Sequence, residues 1–121
     1  MLGRLNHVAI AVKDAKQAAK IYGTAFNAEI SDAVPLPEHG VITVFVTLPN
    51  TKIEFIEPLG EASPIAKFVE RNADGGIHHV CYDVPDIIAA RDRMIARHRL
   101  IEGIIRNNEM QLRNESARGG A

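Results

Sequence analysis

His7 and His79 stand 72 positions apart, and each opens a short apolar run. Sliding one run onto the other also brings Val8 onto Val80, Val12 onto Val84, Asp14 onto Asp86 and Ala18 onto Ala90. A match held at one fixed offset marks an internal repeat, in which one supersecondary unit is built twice. This constrains the fold more than any bulk property does. With 121 residues the chain has the length of one domain, enough for one core but not for two independent ones.

The first copy reads as follows. Leu5 to Val12 alternates with period two, so Val8, Ile10 and Val12 share one face of a strand and His7, Ala9 and Ala11 the other. Asp14 has the chemistry of a helix N-cap, with Gln17 at the capping-box position. Ala15, Ala18, Ala19, Tyr22 and Phe26 follow at helical spacing, so this helix can lie on the apolar back of the strand. Ala28 to Ala33 suits a short strand. Val34-Pro35-Leu36-Pro37-Glu38-His39-Gly40 reads as a loop, because two prolines oppose regular pairing. Val41 to Leu48 is the clearest strand, and the Pro49-Asn50 turn returns it through Thr51 to Glu57 as a hairpin. The first module is thus a strand, a helix and about three strands, over residues 5 to 58.

Ser63 and Pro64 suit the N-cap and first position of a short helix ending near Arg71. Asn72 to Gly76 turns the chain into the double-histidine strand. Asp86 then caps a second long helix, with Ile87, Ala90 and Met94 on its inner face. After it only Arg99 to Glu102 looks strand-like. The second module is therefore partial, over about 77 to 104. The tail, 105 to 121, is polar and glycine-ended and is expected to be poorly structured.

Charge narrows the function. A formal net charge of -1 provides no global field for nucleic acid or an anionic membrane, and neither is expected as a partner. Arg91, Arg93, Arg97, His98 and Arg99 cluster locally and read as a solvated helix face. The lone cysteine, Cys81, cannot form an internal disulfide, which fits the reducing cytoplasm, and reads as a small buried hydrophobe. No signal-peptide pattern opens the chain, and no apolar stretch approaches the roughly 18 residues of a membrane span.

The repeat gives the histidines their chemistry. One strand histidine is usually just a polar residue satisfied by hydrogen bonds. Two that occupy equivalent positions in paired modules converge on one shared face, and two imidazoles there suit a divalent metal. Glu54, on a strand of the first module, is the best third ligand; its plain alternative is an exposed strand residue. His78 precedes His79 and leaves the opposite face of an unbroken strand, so it is expected to pack or hydrogen-bond. Glu38 and His39 on the proline-rich loop are expected to be solvated, and His98 exposed.

With these segments in hand, the chain resembles the vicinal oxygen chelate superfamily, and within it methylmalonyl-CoA epimerase most of all. The likeness is carried by Leu2 to Val12, Leu36 to Val41, Asn50 to Glu54, Glu57 to Gly60, Ser63 to Ala66 and Gly75 to Val80, in the right order. It implies an α+β fold of paired βαβββ modules around one divalent metal ion; cobalt, zinc, nickel and manganese are not distinguished. It carries the ligand role to His7 and His79, and to Glu54 at a position where relatives have Glu or Gln at or near the metal. It implies an acyl-CoA substrate and interconversion of (R)- and (S)-methylmalonyl-CoA by 1,1-proton transfer through an enolate. A homodimer is expected. The alternatives are a glyoxalase I-like lyase and a non-catalytic binding or dimerisation module of the same fold.

The likeness stops near residue 104. Relatives continue through further strands to a glutamate that binds metal and takes part in catalysis, and neither Glu109 nor Glu115 has that context. Some relatives also have a base glutamate where this chain has Thr43. The resemblance thus assigns no general acid or base here, and implies a truncated or frame-shifted epimerase of impaired activity.

Overall fold

The computed structural model describes residues 2–97 and 113–114. The chain folds as α+β, with seven strands and three α-helices among the described residues. The strands are β1 (Leu5–Ala11), β2 (Glu29–Ile30), β3 (Val34–Leu36), β4 (Val41–Thr47), β5 (Lys52–Pro58), β6 (Gly76–Val84) and β7 (Arg113–Asn114). The helices are α1 (Ala15–Phe26), α2 (Ala66–Arg71) and α3 (Ile87–Ala96). Two compact units divide the chain, one of residues 8–78 and one of residues 1–7 with 79–121.

The larger unit is built on the hairpin β4–β5, antiparallel from Val41↔Pro58 to Thr47↔Lys52. The Leu48 amide donates to the Thr51 carbonyl and closes the turn at Pro49-Asn50. β1 adds to β5 in parallel, with Ala9 opposite Glu54 and Ala11 opposite Ile56. Alternation along these strands sends side chains to two different cores. Val44, Val46 and Phe55 pack with Ala15 and Ala19 of α1, flanked by Ile10, Val12, Tyr22 and Ile53. Ala9, Ala11, Val41 and Ile56 pack with Ile65 and Val69, flanked by Leu36 and Phe68. The alanines matter here: their small side chains let helix backbone approach strand backbone closely.

α1 begins as expected, with the Asp14 carboxylate accepting from the Gln17 amide at 3.0 Å. Glu57 on β5 accepts from the Ala15 amide at 2.9 Å, so a second orphan donor of this helix end is satisfied from the sheet. Asn27 closes the helix in the left-handed conformation at φ 54°. Phe26 departs from the expected inner face: it is 73% exposed at the helix end, its ring lying against Tyr22 with centroids 6.0 Å apart.

Two other expectations are corrected. Val34–Leu36 is a strand, paired antiparallel to β4, although it was expected to be loop. It lies at the sheet edge, where the missing Pro35 N–H costs the ladder nothing. With β2, it forms one interrupted edge along β4, bridged by the Ser31 amide to the Phe45 carbonyl and the Phe45 amide to Ser31 Oγ. The second correction concerns Ser63, which does not cap α2; Ile65 holds that position without a side-chain bond. Ser63 Oγ instead donates to the Gly40 carbonyl at 2.6 Å and accepts from the Ile65 amide at 3.3 Å. Its hydroxyl thus ties the hairpin's start to the turn before α2. Gly75, at φ +93°, makes the turn into β6 in a conformation that side chains resist.

In the smaller unit the start of β1 lies beside the end of β6. The Gly3 amide donates to the Asp83 carbonyl and the Asp83 amide to the Arg4 carbonyl. β7 runs parallel to β6, with Asp83↔Arg113 and Val84↔Asn114. Asp86 caps α3 by accepting from the Ile88 and Ala89 amides at 3.0 and 3.1 Å. Ile87, Ala90 and Met94 are the residues of α3 that are partly covered, as the helical spacing requires. The expected strand at 99 to 102 lies outside the described residues, as does the expected tail apart from Arg113–Asn114. Among the described residues no helix is long and apolar enough to cross a membrane.

Candidate metal centre

His7 and His79 meet, as the repeat requires. Their rings lie edge to face with centroids 5.5 Å apart, and His7 is 2% exposed. Each ring is delivered by the strand that opens its copy of the repeat, β1 for His7 and β6 for His79. Burial of a polar ring in this way is costly unless the ring is bonded. His7 Nδ1 is bonded to Asn6 Oδ1 at 2.8 Å, and Asn6 Nδ2 donates to Asp83 Oδ1 at 3.0 Å. All three side chains are buried.

Glu54 stands on β5 between Ala9 of β1 and Phe45 of β4. Its carboxylate is oriented by Thr43, whose Oγ1 donates to Oε2 at 2.8 Å. Thr43 is on the neighbouring strand β4 and is 5% exposed, so this bond is held away from bulk water. A hydroxyl that donates to a carboxylate serves to position it and is not poised as a base.

His7 and His79 belong to the smaller unit and Glu54 to the larger, and each carries a group that can ligate a metal. Two imidazole nitrogens and one carboxylate oxygen make a donor set that first-row divalent cations accept readily. The chemistry of the residues therefore fits a divalent metal.

The other polar residues sort as anticipated. His78 packs edge-on against Phe68 of α2, with centroids 5.0 Å apart, and burial lowers its pKa from the ordinary histidine value. Glu38 and His39 are exposed on their loop, Arg91, Arg93 and Arg97 are exposed on α3, and Cys81 is fully buried. His98 lies outside the described residues. Sequence reasoning missed Asn6 and Asp83. The available signal was Asp83 itself, a carboxylate inside an apolar strand run, where an unpartnered charge is rarely tolerated.

Comparison with known proteins agrees with this geometry. Residues 6–110 match the family model of the Glyoxalase/Bleomycin resistance protein/Dioxygenase superfamily. The chain is 60% identical over 94 residues to the ethylmalonyl-CoA/methylmalonyl-CoA epimerase of Cereibacter sphaeroides, a match covering 78% of this chain and 70% of that protein. It is 58% identical over 89 residues to the mitochondrial methylmalonyl-CoA epimerase of Homo sapiens, covering 74% of this chain and 51% of the human one. The match thus spans about half the length of the human relative. A crystal structure of a methylmalonyl-CoA epimerase superposes with a TM-score of 0.70 at 29% identity, over 80% of this chain and 72% of that one. The chain belongs to the Glyoxalase/Bleomycin resistance protein/Dioxygenase superfamily and is a homologue of the methylmalonyl-CoA epimerases.

Proposed function

We propose that His7, Glu54 and His79 hold one divalent cation, and that the chain epimerises methylmalonyl-CoA at its α-carbon. The observation that carries this reading is the meeting of the His7 and His79 imidazoles in a chain 60% identical to an epimerase of this substrate class. Bound there, a divalent cation supplies Lewis acidity toward the thioester and carboxylate oxygens, which lowers the cost of removing the α-proton. The protein's part is to hold the ligand atoms in place. Asn6 fixes the His7 ring and Thr43 fixes the Glu54 carboxylate. Interconversion also needs a base on one face of the substrate and an acid on the other; the described residues assign neither role. We further propose a homodimer in the cytoplasm, a compartment that suits the single buried thiol of Cys81.

The test is calorimetric titration of the purified protein with zinc, cobalt, nickel and manganese. His7→Ala and His79→Ala should each lose most of the affinity, since each removes a neutral nitrogen ligand. Unchanged affinity in either variant would sink the shared site. Activity is read as wash-in of solvent deuterium at the α-carbon of methylmalonyl-CoA by the metal-loaded protein. Turnover of a glutathione hemithioacetal in place of this exchange would assign the lyase chemistry instead. Sedimentation measures the dimer.

A further inference from the structure

We propose that Asp83 and Asn6 form a tautomer lock that keeps the proton of His7 on Nδ1 and so leaves the ring's lone pair on Nε2. The inference rests on the metal reading for its purpose but not for its geometry.

A carboxylate accepts hydrogen bonds and does not donate them. The group facing Asp83 Oδ1 at 3.0 Å must therefore be the NH2 of Asn6. This settles which way the Asn6 amide points, and it presents the amide oxygen, an acceptor, to His7 Nδ1 at 2.8 Å. An acceptor at that distance requires a proton on Nδ1. In the neutral ring the other nitrogen, Nε2, then carries the lone pair that a metal needs. Nε2 is buried.

The base of the lock is itself held. Asp83 is 5% exposed, and its amide and carbonyl bond to Arg4 and Gly3. Gly3 is what permits this approach: a Cβ there would lie 2.8 Å from the Asp83 carbonyl oxygen. Orienting partners of this kind fix ring and tautomer of a ligating histidine, and their loss typically costs about 10–100-fold in metal affinity. Asn6 and Asp83 are positioning residues; neither is placed to touch substrate.

The experiment begins with the unmutated, metal-free protein, followed across a pH series until the ring shifts stop changing at high pH. The ring 15N shifts of His7 should show a protonated Nδ1 and an unprotonated Nε2. A ring protonated on Nε2, or an even mixture, would overturn the lock without any variant having to fold. Asp83→Asn keeps the shape but can donate as well as accept, so the Asn6 amide is free to turn. His7 should then become a mixture of tautomers, and zinc affinity should fall about 10–100-fold. A folded Asp83→Asn protein with the shifts and zinc affinity of the parent would reduce the three residues to a structural stitch. A locked His7 in a protein that binds no zinc would support the lock and remove the metal reading, so the two failures are distinct.

Discussion

α1 buries Ala15 and Ala19 completely, whereas α3, at the equivalent place in the second copy, buries no residue. The two helices start alike. Each follows a strand opened by a histidine, and each is capped by an aspartate at the same offset, Asp14 and Asp86. α3 even has the fuller cap, with two amides bonded to its aspartate against one for α1. The difference lies in the cover. β4 and β5 supply Val44, Val46 and Phe55 beneath α1. Local signals thus start a helix, and distant strands decide whether it is built into a core.

The largest test of this comparison is Phe55→Ala. It empties a 4% exposed site under α1, and equilibrium denaturation should show a loss of about 3–5 kcal/mol. Met94→Ala, on the partly covered face of α3, should cost about 1 kcal/mol or less. Equal losses would mean that α3 has as much core beneath it as α1. The caps sharpen the point at a smaller scale. Asp14→Ala should lower global stability by about 1 kcal/mol, since the helix it starts is part of the core. Asp86→Ala should act mainly on α3 itself, seen as faster amide exchange there with little change in the denaturation midpoint. Smallest of all is Ile21→Lys on the outer face of α1. At 56% exposure it should stay within about 0.5 kcal/mol of the parent.

The meeting of His7 and His79 was legible because it follows from the repeat: their shared offset pairs them before any fold is known. Asn6 and Asp83 are 77 positions apart, and nothing periodic links them. Their bond exists because the start of β1 lies beside the end of β6, which is a property of strand pairing and not of composition. Thr43 is a similar case. As a residue type it suggested only a group too weak to act as base, and its bond to Glu54 appears once β4 is set in register against β5.

What the sequence determined by itself is whatever depends on near neighbours. Alternation placed the hairpin strands, Asp14 and Asp86 started their helices, and helical spacing picked Ile87, Ala90 and Met94 as the covered face of α3. These follow from covalent geometry and side-chain chemistry within a few residues. The tertiary structure decided matters of edge and reach. Val34–Leu36 became a strand because an edge forgives a proline, and Ser63 left the helix end for Gly40 because that carbonyl came within 2.6 Å. His7 gained its orienting partners because two strands met. Such contacts depend on where remote backbone passes, and their free energy is gained only after the chain has closed the loops between them.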